Sequence, residues 1–153
     1  MTPIVLDSSL LVALLVPNDA WHFQAVTLWE TIKVTGYTGI YFDCVVAETA
    51  SVAIRRLYEK GLRNDVQPLL RRLHVQAPAN AITWIFPNVP RLYTEIVTLI
   101  QSSSGELNFN DALIALACRE REIPAIASFD TDFDQVAWLK RVTEPGNLPI
   151  TNG

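Results

Sequence analysis

The sequence predicts an α/β protein, a three-layer α/β/α sandwich around a central parallel sheet. Three observations predict it. Apolar runs of strand length alternate with longer stretches of helical period along the chain. Those short runs are apolar throughout, as in strands buried on both faces. And with 153 residues, half of them hydrophobic and 18% charged, the chain suits one domain (1–153) with a substantial core and is too apolar for disorder.

Taken in order, residues 3–6 (Pro-Ile-Val-Leu) read as a first buried strand ending at Asp7, and a helical apolar stretch follows to Val16. Pro17-Asn18-Asp19 breaks it, and Asp19 is placed to cap a helix through Lys33. Gly36 and Gly39 bracket a turn before a second strand, 40–42. Asp43 is placed to cap the next helix, on which Val46, Ala50, Ala53 and Leu57 recur at helical spacing until Gly61. A further helix spans 62–75, with a stripe of Leu62, Val66, Leu69, Leu70 and Leu73. A third strand is expected over 82–86, then a helix capped by Asn88 with Val89, Leu92, Tyr93, Ile96, Leu99 and Ile100 inward. Residues 110–122 read as a helix, 124–127 as a fourth strand, 128–134 as a loop and 144–153 as a peripheral tail. The four tryptophans, at 21, 29, 84 and 138, are expected in the core.

Several function classes are excluded by pattern. The first ten residues hold no Lys or Arg, and the longest early apolar run, Leu10–Val16, is far short of the roughly 20 residues of a membrane span. The expected location is the cytoplasm, with Cys44 and Cys118 as free buried thiols. Isolated His22 and His74 leave no zinc spacing, and no phosphate-cradling glycine pattern occurs. A net charge of −4, from 16 acids and 12 bases, argues against coating nucleic acid by bulk charge. It does not exclude an enzyme that acts on nucleic acid locally.

Ligands of open parallel sheets bind beyond the C-terminal strand ends. Asp7 follows the first strand, Glu48 opens the helix after the second, and Asp130 follows the fourth. Asp111 heads a helix that is apolar from Ala112 to Cys118, so it does not lie on a solvated face. If that helix is an ordinary crossover, its start is expected at the opposite end of the sheet. Each acid alone has a structural reading: a cap, a dipole complement, a solvated first-turn acid, a turn. Gathered, they would raise one another's pKa unless a cation balances them. The motifs around them supply no Lys or Arg, which points to a divalent metal, magnesium or manganese rather than zinc.

The segments Val5-Leu6-Asp7-Ser8-Ser9, Val46-Ala47-Glu48, Asn110-Asp111-Ala112-Leu113-Ile114-Ala115 and Ser128-Phe129-Asp130-Thr131-Asp132-Phe133 together resemble a PIN domain. The likeness runs from Pro3 to about Asp134 and is greatest to the VapC-type toxins of toxin–antitoxin pairs. The resemblance implies a PIN-like fold and a Mg2+- or Mn2+-dependent endoribonuclease. It makes Asp7, Glu48, Asp111 and Asp130 the catalytic and metal-holding quartet, with Asp132 a rival for the fourth place. It gives Ser9 and Ser128 supporting polar positions and brings the Asp111 helix to the site. It also implies an RNA substrate, a cognate antitoxin and a homodimer. The family's usual glycine at the end of that helix is Glu122 here.

Half of the bases, Arg55, Arg56, Lys60, Arg63, Arg71 and Arg72, lie within residues 55–72. They are a candidate phosphate-positioning patch, set against a plain solvated surface. Three other readings compete. A PIN-domain RNA-processing nuclease shares the chemistry and would lack a neighbouring antitoxin gene. An inactive PIN-like binding module would fail to bind metal. A phosphoacceptor domain would want a second acid beside Asp7, where Ser8 and Ser9 stand, and a late lysine, of which Lys140 is the one present.

Overall fold

The computed structural model describes residues 1–150. Five strands form one parallel sheet: β1 (Thr2–Leu6), β2 (Tyr37–Phe42), β3 (Ile82–Thr83), β4 (Ala125–Ala127) and β5 (Lys140–Val142), in the order β3-β2-β1-β4-β5. The predicted three-layer α/β class is the observed one. Ile4, Val5 and Leu6 of β1 and all of β4 are fully buried, as their unbroken apolar character requires at the centre of a parallel sheet.

Six helices complete the layers: α1 (Ser8–Leu15), α2 (His22–Val34), α3 (Asp43–Glu59), α4 (Val66–Gln76), α5 (Val89–Ser102) and α6 (Phe109–Glu120). The crossovers β1→β2 and β2→β3 step one way along the sheet, and β3→β4 steps back. Right-handed connections therefore put α1–α4 on one face and α5–α6 on the other. The packing agrees: α1 touches α2, α3 and α4, while α5 packs on α6. Val12, Val16, Ala53, Leu57 and Leu69 form a small second core between α1, α3 and α4. Gly39 of β2 lies close under Trp29: a Cβ there would come within 3.0 Å of the indole ring, which would have to give way.

The differences from expectation have local causes. The third strand stops at Thr83 rather than reaching Phe86. The Asp43 carboxylate accepts from the N–H groups of Ile85 (3.0 Å) and Phe86 (2.9 Å), which turns the chain out of the sheet, and a 3₁₀ turn at Phe86–Asn88 holds Pro87. Asp43 is thus a long-range staple in the first turn of α3 and not the cap residue, which is Phe42. Asp43→Ala removes the acceptor of three N–H groups, that of Cys44 included. It is expected to cost about 3 kcal/mol or more in urea unfolding, and a loss below about 1 kcal/mol would contradict the staple.

β5 was not foreseen. Lys140-Arg141-Val142 has no apolar run, but the free edge of β4 orders it, with Ser128 N donating to Val142 O (3.1 Å). In the tail, Leu148 packs against the core, and residues 151–153 lie outside the described chain. Both cysteines are free and buried, as expected. Trp29 and Trp138 pack against the core, whereas Trp21 and Trp84 are exposed, as is Tyr93 on α5. Glu122 sits just past α6 with φ of +54°, a conformation that favours glycine. No helix among the described residues is long and apolar enough to cross a membrane.

Candidate metal centre

β1 is the point where the strand order reverses, with β2 on one side and β4 on the other. The crevice at such a switch opens beyond the C-terminal ends of β1 and β4. Asp7 and Asp130 follow those two ends. Glu48 comes in from the second turn of α3 and Asp111 from the first turn of α6.

The Asp111 placement corrects the expectation that its helix starts at the far end of the sheet. α6 ends at Glu120, just ahead of β4. A helix that returns the chain to the start of a parallel strand must itself begin at the C-terminal edge. Asp111 is fixed there by a capping box: its N–H donates to Asn108 Oδ1 (2.8 Å) and its Oδ2 accepts from Asn108 N (3.1 Å). Its Oδ1 takes no part in that box.

Asp7 is 3% exposed and held by two hydroxyls. Ser128 Oγ donates to its Oδ2 at 2.6 Å and Ser9 Oγ at 2.9 Å. The same hydroxyls accept backbone N–H groups of the next loop, Asp130 N on Ser128 (3.0 Å) and Phe129 N on Ser9 (3.0 Å). Ser9 and Ser128 therefore tie β1 to the loop after β4 and set the distance between Asp7 and Asp130. That loop turns tightly because Asp130 Oδ1 accepts from Asp132 N (2.9 Å), capping a 3₁₀ turn at Thr131–Gln135.

One carboxylate oxygen each from Asp111, Asp130 and Asp132 lie within 4.8 Å of one another. Asp132, the rival for the fourth place, thus stands in this trio, while Asp7 and Glu48 are near enough for their charges to act on Asp111. Asp134 turns away into a bidentate ion pair with Arg141 (2.8 and 3.0 Å). Among the described residues, none of the five acids at this crevice is in a salt bridge.

The electrostatics follow from that arrangement. Burial first, then the charges of Asp130, Asp7 and Glu48, push Asp111 up to about 7 against the pull of the Asn108 N–H. Burial also raises Asp7, opposed by the Ser128 and Ser9 hydroxyls. Glu48 is raised by burial and then by Asp7. Asp132 is raised chiefly by the charge of Asp130. Such a set of hard oxygen donors without a cationic partner fits a magnesium- or manganese-sized cation.

The fold gives the six bases different partners. Arg56 pairs with the nearly buried Asp19, and Arg72 donates to Leu15 O (3.0 Å). Arg56, Lys60 and Arg72 line a cavity of ≈ 240 Å³ between α1, α3 and α4, and Arg63 lies over the Tyr58 ring. Arg55 is exposed and seven residues past Glu48, hence on the same helix face and about 10 Å further along the axis.

This topology, with acids brought to one sheet edge by β1, α3, α6 and the loop after β4, defines an acid-centred α/β fold. The chain belongs to the PIN domain family, which it matches over residues 4–139. Its fold is similar to that of VapC20 of Mycobacterium tuberculosis, described as a toxin that cleaves the sarcin–ricin loop. The TM-score is 0.68 at 20% sequence identity, over 88% of this chain and 95% of that one. No curated protein sequence matches significantly.

Proposed function

We propose that this protein is a divalent-metal-dependent endoribonuclease that hydrolyses RNA phosphodiester bonds and acts as the toxin of a VapBC-type pair. The observation that carries the chemistry is the unpaired cluster of Asp111, Asp130 and Asp132, flanked by Asp7 and Glu48, in a PIN domain. The toxin assignment is supported by the likeness to VapC20, a toxin that cleaves the sarcin–ricin loop. A cognate antitoxin and a homodimer belong to the same reading.

Asp111, Asp130 and Asp132 would hold the cation, with Asp7 and Glu48 completing its surroundings. A bound Mg2+ or Mn2+ would supply charge neutralisation at the scissile phosphate and a lowered pKa for attacking water. The chain's own residues do the rest. Ser9 and Ser128 orient Asp7 and leave its Oδ1 free of their hydrogen bonds. The capping box fixes Asp111 through its Oδ2 and leaves its Oδ1 out of those hydrogen bonds. Asp111, pushed up to about 7 without a cation, gives up its proton in order to hold one. Arg55, on the Glu48 face, is the best placed of the basic residues to position an incoming phosphate, and Lys60 lies farther along.

The deciding experiment is cleavage of a structured RNA by purified protein with Mn2+, with excess chelator, and as Asp7→Asn. Loss in both altered conditions is expected, and cleavage that survives either one overturns the proposal. Charge reversal at Arg55 and Lys60 is expected to weaken RNA binding and to flatten its salt dependence by about two phosphate contacts. An unchanged salt slope would remove these residues from the RNA path. Arg56 is left out of that variant because it also holds Asp19.

A further inference from the structure

We propose that the exposed face of Trp21, stacked on Phe129, is the shelf that carries the nucleobase next to the scissile phosphate. This rests on reading the acidic cluster as the RNA-cleaving centre.

The two rings lie with centroids 4.8 Å apart and planes 15° from parallel. Phe129 covers one face of the indole, yet Trp21 is still 49% exposed. A large flat π-surface therefore meets solvent, stacked on the residue that precedes Asp130. Phe129 is the residue between Ser128 and Asp130, and its N–H donates to Ser9 Oγ, which donates to Asp7. The shelf is thus built on the hydrogen-bond chain that orients Asp7.

The backbone that carries the indole is anchored as well. Trp21 N donates to Asp19 Oδ1 (2.9 Å), and Asp19 is paired with Arg56 of α3. The next residue, His22, bonds Ala13 O through Nδ1 (2.7 Å). A turn pinned at three points presents an aromatic that the core does not use. Arg56 is accordingly a positioning residue, acting on Trp21 through Asp19.

Charge favours a nucleobase as the occupant. The crevice gathers five carboxylates without an ion-pair partner, which repel a phosphate backbone. Attraction must include uncharged contacts, and base–aromatic stacking supplies one that salt does not screen. Every base has a π-face, so the shelf would grip single-stranded or looped RNA with little sequence preference.

The test uses the full chain in chelator, so that binding is read without cleavage. Tryptophan fluorescence is titrated with a 12-nucleotide oligo(A) and with an abasic ribose-phosphate strand of equal length. Oligo(A) is expected to quench the emission; Trp21→Phe should lose that quench and Trp84→Phe should keep it. Trp21→Ala is expected to bind oligo(A) about 10- to 100-fold more weakly, with an unchanged salt slope, and the abasic strand as the parent does. Trp21→Phe keeps a ring, so near-parental affinity in it separates lost stacking from lost folding. Equal binding of oligo(A) by Trp21→Ala and the parent overturns the shelf, as does an equal loss for both strands. A change in oligomeric mass with unchanged oligo(A) binding overturns it too and assigns the indole to a protein interface. Cleavage with Mn2+ is read separately. A parent that never cleaves but shows base-dependent quenching sinks the nuclease reading alone. Normal metal-dependent cleavage and binding in Trp21→Ala sinks the shelf alone.

Discussion

Asp111→Asn is expected to abolish metal-dependent cleavage, by at least about 100-fold, while making the metal-free protein more stable at pH 8. The two effects have one cause. Asp111 is 6% exposed and faces Asp130, Asp7 and Glu48, so its ionised form is costly and its pKa rises to about 7. A carboxyl whose folded pKa lies above its unfolded value contributes stability at low pH and loses it as pH rises through the folded value. At pH 8, above both the folded and the unfolded value, the cost of holding that charge is on the order of 4 kcal/mol. An asparagine removes the charge, and its Oδ1 can still accept from Asn108 N, so the capping box survives. Urea unfolding in chelator should therefore show a gain near that size at pH 8 and almost none at pH 4, where the native carboxyl is already protonated. A variant that is less stable at pH 8, or one that still cleaves RNA, would contradict the proposed role.

Divalent-cation affinity is expected to climb steeply between pH 5.5 and 7 and to level off above. A cation needs the carboxylate form, and below about 7 Asp111 must give up a proton first. One coupled proton makes binding about tenfold weaker for each pH unit below that value. Asp7 and Glu48, also raised, add to the slope in the same direction. The contribution of these three carboxyls to metal-free stability runs the opposite way, greatest at low pH and falling as they ionise. Mn2+ should consequently raise the melting temperature strongly at pH 7.5 and little at pH 5.5. Calorimetric titration in two buffers of different ionisation enthalpy measures the released proton directly. An affinity that is flat from pH 5.5 to 7.5 would show that the acids are already ionised without metal.

Much of this centre is legible along the chain because two of its acids end strands. The run Ile4–Leu6 is apolar on both faces, so it must be central, and the acid after it falls at the sheet edge. The same logic places Asp130 after Ala125–Ala127. Asp43 carries the same signal, an acid after Ile40–Phe42, yet its role is different. Its partners are the N–H groups of Ile85 and Phe86, some forty residues away, and no local pattern names them. Arg56 looked like one more free base, but Asp19 comes to it from the turn before α2. Trp21 looked like core because it is large and apolar, whereas its neighbour Phe129 arrives from the other end of the chain.

By itself the sequence determined the layers, the order of the main elements, the acids at the strand ends and the absence of a cation among their neighbours in the chain. These are consequences of periodicity and local chemistry, which act over a few residues. Tertiary structure alone decided that Asp132 joins Asp111 and Asp130, that Asp134 leaves for Arg141, and that two serines 119 positions apart share the Asp7 carboxylate. It also decided that Trp21 stacks on Phe129 instead of entering the core. The physical reason is that carboxylate chemistry depends on separations of a few ångströms and on burial, and both are set by which strand ends become neighbours in the sheet.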